Sequence, residues 1–451
     1  MFACQESGNP GIRESGNPRI REEAWWAWTR EEQATNIHYR SYTSPNYKTD
    51  VRRVQVALSP YTPGSVARSV PGRATALAEY REAAQRIDRL DQFIPRIHVV
   101  HGPRGIGKTS LLRQGQRVFE DSRVRTIWIT ANPTESLLHS LLSELAKLIG
   151  TGTRIRKRAV EHIESISVEL GNPVIGKMAA TVRPTPDVTR ASSARLIEAL
   201  HLVLDASETI GGSGLAILVD EIQEADAASL RTLAYAWQEL APVGAQGGGS
   251  TKAALCAVGL PGAPAHINRA VSFSERFSFE RLPGLDDAGA EEALLAPARE
   301  LGVRWGDKAL ADTVAAAQGY PYWVQLAGDA VWRAGSRRVG GVGLESGHSI
   351  TSDDVRSGAR RFAEQKHTLY RARWDNASPR QREMLVALAR LGGQDVQRGV
   401  LAAALHTDTT SISVARQSLL DKGIIDANQH GLLSFTVPGF TEFVLARARD
   451  E

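Results

Sequence analysis

Eight consecutive residues, Gly102-Pro-Arg-Gly-Ile-Gly-Lys-Thr109, put glycines at the first, fourth and sixth positions and close on a lysine and a hydroxyl. Glycines let a backbone turn tightly enough to wrap its N–H groups round a phosphate chain, and a helix starting there adds positive potential. In this pattern Lys108 reaches the β- and γ-phosphates of a nucleoside triphosphate, and the Thr109 hydroxyl ligates Mg²⁺. The expected binding set is Gly102, Pro103, Arg104, Gly105, Ile106, Gly107, Lys108, Thr109 and Ser110. Lysine is scarce, with nine against 45 arginines, which makes a lysine in this slot hard to read as coincidence.

A second run, Leu215-Ala-Ile-Leu-Val-Asp220-Glu221, is an apolar strand ending in two acids. Asp220 would hold Mg²⁺ through water beside Thr109. Glu221 would orient and polarise the water that attacks the γ-phosphorus, as general base. Hydrolysis also needs the transferred phosphoryl charge neutralised, often by an arginine from a neighbouring subunit. Arg276 is the first candidate and Arg281 the second, which makes a homo-oligomer an expectation. Gly319-Tyr-Pro-Tyr-Trp-Val-Gln325 starts a helix and reads either as a lid closing on the adenine or as lid core.

The elements that position these groups follow from periodicity. Short β-branched runs at 97–101, 124–130, 215–220, 253–259 and 277–282 alternate with helical patterns at 77–90, 108–119, 137–149 and 227–240. Strands alternating with helices predict a parallel sheet covered on both faces. Residues 150–190 read as an insertion with a basic start (Arg154, Arg156, Lys157, Arg158), fit to touch phosphate or to begin a solvated helix. Alternation at Ile166, Val168 and Leu170, then Val174 to Val182, predicts a β-hairpin there. Gly244 to Ser250 reads as a flexible connector. From Asp286 to Phe362 the pattern is helices only. Helices at 378–391, 397–405 and 409–422, then short strands around a turn at 428–431, give the order of a winged helix.

Composition excludes other classes. Hydrophobic residues are 42% and charged residues 23% of 451, ordinary for globular chains. No run approaches the ~18 apolar residues of a membrane span, and the first thirty residues lack a signal-peptide core. Two cysteines, Cys4 and Cys256, make neither a disulfide framework nor a zinc site, so a reducing cytoplasm is expected. Residues 1–58 read as a leader with a near-duplicated octapeptide (6–13, 14–21) and Trp25, Trp26 and Trp28. The alternatives there are a disordered or over-extended start and an interaction arm. Pro60 to Pro71 reads as a linker. The net charge of +4 is no sign of a nucleic-acid partner.

The runs Ser59 to Gly64, Pro71-Gly-Arg73, Gly102 to Thr109, Asp220 to Asp226, Gly259-Leu-Pro261, Gly319-Tyr-Pro-Tyr322 and Leu433 to Pro438 carry a likeness. Over about 59–447 the chain resembles the AAA-type P-loop ATPases related to the origin-recognition and archaeal-ATPase groups. Within these it is most similar to bacterial ATP-binding proteins with a winged-helix tail. The resemblance implies an α/β P-loop NTPase fold of the additional-strand type with a parallel five-strand core (59–285), a helical lid (286–375) and a winged helix (376–451). It implies ATP and Mg²⁺, Lys108 and Thr109 on phosphate and metal, Asp220 and Glu221 as the hydrolytic pair, Gly72 and Arg73 near the adenine, and Pro321 as a lid contact. Two departures stand out. Val258-Gly259-Leu260 lacks the polar sensor many members place there, and Tyr322 stands where the lid commonly holds an arginine. These imply slow hydrolysis rather than a fast motor. The Gly-x-Pro at 319–321 is similar to signal-transducing switch NTPases.

Three functions remain open at this level. One is a slow ATPase switching its winged helix on DNA or a protein partner. The second is a non-catalytic ATP-dependent scaffold or regulator, and the third a replication-initiator-like loader. In the DNA reading, helix 409–422 would present Thr409, Thr410, Ser413, Arg416 and Gln417 to a major groove. Eight basic and eight acidic residues in 376–451 cancel, which counts against the loader.

Overall fold

Strands β3 (Gly214–Asp220) and β4 (Ala253–Gly259) are buried at every residue, so each must satisfy two apolar faces. That is why their sequences run apolar without alternation. They sit inside a five-stranded parallel sheet with β1 (Ile97–His101), β2 (Val124–Thr130) and β5 (Phe277–Arg281), in the order β2-β3-β4-β1-β5. The computed structural model describes residues 57–150, 154–171, 186–210, 212–245, 251–271, 273–427 and 431–450, all within one compact unit, Val54–Glu451. The leader with its repeats and tryptophans, the Val174–Val182 half of the expected hairpin and most of the glycine-rich connector lie outside the described residues.

Successive strand residues feed opposite cores. Val100, Ala216, Leu218, Cys256 and Val258 pack with α1 (Ala74–Leu90) and α2 (Lys108–Asp121) through Tyr80, Leu111, Leu112 and Phe119. Ile97, Val99, Leu215, Ile217, Val219 and Leu255 pack on the other face. There they meet α3 (Leu137–Ile149), α4 (Arg154–Gly171), α5 (Pro186–Ile210), α6 (Ala227–Ala245) and α7 (Ala263–Ala270).

The expected hairpin is overturned at its first half: residues 154–171 are helical. Ile163, Ile166 and Ser167 are buried, a three- and four-residue spacing that faces α4 onto Leu141 and Leu145 of α3. The alternation at 166, 168 and 170 was too short to tell a period of two from one of 3.6. Lys157 and Arg158 are exposed at the start of α4, with Lys157 4.0 Å from Glu161.

Beyond the sheet come α8 (Asp287–Glu300), α9 (Asp307–Ala317), α10 (Pro321–Arg338) and α11 (Ser352–Asp375). This region is not helices only. Two-residue strands β6 (Arg304–Trp305) and β7 (Ser349–Ile350) pair in parallel, and Ala57 bridges to Leu344. Nor is 60–71 a bare linker. Tyr61 is 2% exposed, its hydroxyl donating to Leu294 O (2.6 Å) and accepting from Trp305 Nε1 (3.0 Å).

The chain ends with α12 (Pro379–Arg390), α13 (Arg398–Ala404), α14 (Ser413–Asp421), antiparallel β8 (Ile425–Ala427) and β9 (Leu433–Phe435), and α15 (Phe440–Asp450). A reciprocal cap between Ser378 and Gln381, with Pro379 at the first helical position, starts α12. Helix α14 starts at Ser413, so Thr409 and Thr410 lie in the turn before it, where Asp408 accepts from the N–H groups of Thr410 and Ser411. Among the described residues no helix is long and apolar enough to cross a membrane.

Candidate nucleotide site

The site stands at the carboxyl edge of the sheet. Parallel strands leave a crevice there where the strand order switches. β4 separates β1 from β3, so the loop after β1 and the acids after β3 flank the β4 tip. Gly102 N donates to Gly259 O at 3.1 Å, and Leu282 N donates to His101 O at 2.8 Å, fixing the loop root between β4 and β5. Gly105 and Gly107 have φ of +82° and +93°, which side chains with a Cβ rarely adopt. The turn they make delivers the chain into α2 at Lys108.

Lys108 is buried, and its Nζ donates to Pro103 O at 2.8 Å. Burial lowers its ammonium to about 8, against the upward pull of Glu221 and Asp220. Asp220 is 7% exposed. Its carboxylate faces the Thr109 hydroxyl and accepts from Glu221 N (2.9 Å), while burial raises its affinity for a proton. A hydroxyl against a carboxylate is an all-oxygen pair of the kind a small hard cation takes, with phosphate and water completing the shell. The residues therefore fit Mg²⁺. Glu221 follows with φ +53°, in the left-handed region, and its Oε2 accepts from Gln223 Nε2 at 2.6 Å.

The lid meets the loop directly. The Tyr320 hydroxyl donates to Arg104 O, and Tyr322 N donates to Gly105 O at 3.2 Å. Pro321 is the first residue of α10, between these two contacts. Arg73 is 5% exposed and donates to Ile106 O (3.1 Å) and Gly284 O (3.4 Å), while Gly72 approaches Gly289 and Leu285. Within the 319–325 cluster, Tyr320 and Tyr322 face the loop and Trp323 is lid core.

Three of the expected residues make other contacts or stand apart from Lys108. Arg276 precedes β5 at the end of the sheet opposite the loop. Phe277 pairs with Ile97 at the start of β1, so Arg276 does not reach this chain's own Lys108. Arg281, at the other end of β5, is turned onto Asp426 of β8 at 2.7 Å. The Ser110 hydroxyl accepts from Ala67 N at 3.0 Å, which ties the 60–71 segment to α2. Sequence reasoning also missed Gln223 and Asp426. Only the place of Gln223, two residues after Glu221, hinted at its role.

A parallel sheet of this order, a phosphate-wrapping loop after β1, acids after β3 and a helical lid make a P-loop NTPase fold, and the first part of it carries an AAA-type ATPase domain. Residues 69–243 match the family model of the AAA ATPase domain, and residues 367–444 match one described as a domain of unknown function (DUF8462). Among solved structures, the chain is similar to the Aeropyrum pernix ORC2 protein in its ADP form (TM-score 0.50, 16% identity, 86% of this chain and 97% of that chain). It also aligns with Cdc6p from Pyrobaculum aerophilum (0.41, 16%, 87% and 98%) and with the Thermotoga maritima RuvB Holliday junction branch migration motor (0.40, 13%, 83% and 95%). At these identities the likeness is one of fold, and the ORC2 match carries it. No curated protein matches the sequence.

Proposed function

We propose that this ATP-binding AAA ATPase hydrolyses ATP slowly and uses the nucleotide state to change how its C-terminal unit is held. The observation that carries the proposal is that one sheet edge holds both the hydrolytic residues and the anchor of residues 376–450. Lys108, Thr109, Asp220 and Glu221 converge there, and Arg281 at the tip of β5 binds Asp426 at 2.7 Å. Asp421 approaches Gly262 after β4, and Gly423 packs near Leu260 and Arg104. Arg373, on the last lid helix, donates to Gly423 O (3.3 Å) and Thr436 Oγ1 (2.7 Å) and stands beside the Tyr320 hydroxyl. A shift of the phosphate loop thus has a short path, through Tyr320 and Arg373, to the hairpin.

In the chemical step Lys108 and the loop N–H groups bind and orient the phosphates. Thr109 directly and Asp220 through water would hold Mg²⁺, which when bound would help neutralise the phosphate charge. Glu221 takes a proton from water as its oxygen bonds the γ-phosphorus, and the bond to the bridging oxygen of ADP breaks. Arg276, remote from this chain's own Lys108, would serve a neighbouring copy. The C-terminal unit, with three helices, a hairpin and a closing helix, is read as a winged helix. Its balanced charge favours a protein over DNA as partner.

The second reading is nucleotide exchange without turnover, favoured by the apolar β4 tip at Gly259–Leu260. Glu221→Gln separates the two. Under the first reading it keeps ATP binding, retains unhydrolysed ATP and lowers kcat by about 10²- to 10⁴-fold. A wild-type rate in Glu221→Gln would remove the catalytic assignment.

A further inference from the structure

Glu221, at the tip of β3, sits in the left-handed region at φ +53°. A residue in that conformation persists where its surroundings over-determine it. Here the main chain is held by Glu224 N donating to Glu221 O (2.8 Å) and by Glu221 N donating to Asp220 Oδ1 (2.9 Å), and the side chain is met by that of Gln223, in the single helical turn Ile222–Glu224. Its Nε2 donates to Glu221 Oε2 at 2.6 Å and its Oε1 accepts from Leu260 N at 2.9 Å. The assignment of the two amide atoms is forced. A main-chain N–H only donates and a carboxylate only accepts, so oxygen must face Leu260 and nitrogen Glu221.

A second observation comes from the neighbouring strand. A Cβ on Gly259 would lie 2.8 Å from Gln223 Oε1, and equally close to Ala263 Cβ and Ile222 Cγ2. The glycine at the β4 tip therefore clears the space that the amide occupies. Glycine at 259 and glutamine at 223 form one device, spanning two strands that the sequence separates.

We infer that Gln223 is the positioning residue of the ATPase site, a clamp that fixes the Glu221 carboxylate to the end of β4. The inference rests on the hydrolytic reading of Glu221. In this role Gln223 acts only through Glu221. One carboxylate oxygen is taken by the amide, which leaves the other to accept the proton of the attacking water. The clamp also settles in advance the rotamer freedom that a glutamate otherwise loses at the moment of reaction. It supplies, from the turn after β3, a polar group at the β4 tip that Gly259 and Leu260 do not carry.

The test uses the full chain. It compares wild type, Glu221→Gln, Gln223→Glu, Gln223→Met and the double variant Glu221→Gln/Gln223→Met for kcat and KM. Nucleotide affinity is read by displacement of a fluorescent ATP analogue. Gln223→Glu keeps the shape and the acceptor for Leu260 but sets an oxygen against the Glu221 carboxylate. Both single Gln223 variants should lower kcat by about 10- to 100-fold, the usual cost of removing a group that orients a catalytic ligand, with KM and affinity unchanged. The double variant should be no slower than Glu221→Gln alone, because the clamp acts only through Glu221. Wild-type kcat in both Gln223 variants overturns the inference, as does a raised kcat, which would make the amide a restraint. A parallel loss of affinity and melting temperature also overturns it. If Glu221→Gln is inactive while the Gln223 variants turn over normally, the clamp alone falls. If wild type shows no turnover, or Glu221→Gln matches it, the hydrolytic reading falls and takes the clamp with it.

Discussion

Lys108 in the nucleotide core and the arginines of the C-terminal unit carry the same formal charge and are built into their surroundings in opposite ways. Lys108 is buried, held at about 8 by that burial, with Asp220 and Glu221 as its nearest acids and a carbonyl of its own loop as its bond. In the C-terminal unit Arg380 donates to Ser411 O, Arg398 to Thr409 O and Ser413 Oγ, and Arg382 to Trp374 O. Those guanidiniums pin turns and helix ends. An ammonium kept dry beside backbone N–H groups gains most from an arriving phosphate, whereas a guanidinium already bonded must give up a contact to take one.

Replacing Lys108 tests the core side of this contrast and has the largest effect expected of it. Lys108→Ala removes the buried cation that meets the phosphates. The loss should be about 3 kcal/mol or more, beyond a hundredfold in Kd for ATP. Titration with a fluorescent ATP analogue reads it directly. Near-normal affinity would mean that the loop is not the phosphate site.

The next effect tests how firmly the C-terminal unit is anchored to that same edge. Asp426 is 2% exposed and Arg281 about half exposed, so Arg281→Ala leaves a buried carboxylate without its guanidinium. Because one partner is solvated, the cost is about 1–2 kcal/mol rather than that of a fully buried pair. Hydrogen exchange at Ile425–Ala427 and Leu433–Phe435 should speed by about tenfold or more, with the β1–β4 ladder unaffected. Unchanged exchange in the hairpin would remove this anchor from the proposed switch.

Much of this was legible beforehand, for identifiable reasons. β2, β4 and α3 have the bounds their patterns gave: β4 is buried on both faces, β2 is a short β-branched run and α3 carries a leucine-rich stripe. The phosphate loop and the pair Asp220-Glu221 are local in sequence and were readable as such. What was hidden depends on distant partners. Arg281 and Asp426 are 145 residues apart in the chain, and Tyr61 is buried by Trp305 and Trp332, which no local composition foretells. Gln223 reads as an ordinary polar residue until Gly259 is set beside it. Strands as short as β6 and β7 have no periodicity to detect.

A smaller effect follows from the ammonium of Lys108. The phosphates favour its charged form, and burial holds the free group at about 8. Binding then takes up a proton above that pH, so affinity falls as pH rises through it. Between pH 7.5 and 8.5 the charged fraction drops by about threefold, and Kd for ATP should rise by a similar factor. Lys108→Arg, which stays protonated, should flatten the dependence whatever it does to the affinity itself. A pH-independent Kd in the wild type would place the proton elsewhere.

The smallest effect tests the C-terminal side of the contrast. Arg416 on α14 is half buried, with burial and its neighbour Arg398 both lowering its hold on the proton. Around it Ser413 Oγ already accepts from Arg398, Gln417 donates to Asp421 at 2.8 Å, and the outermost residue of the helix is Val414, 82% exposed. A groove-reading helix would instead hold such side chains free at its exposed face. Arg416→Ala should change the affinity of the full chain for duplex DNA by less than about twofold and leave its salt slope unaltered. A tenfold loss, with the slope falling by about one, would show Arg416 neutralising a phosphate. The protein-partner reading would then give way to the DNA one.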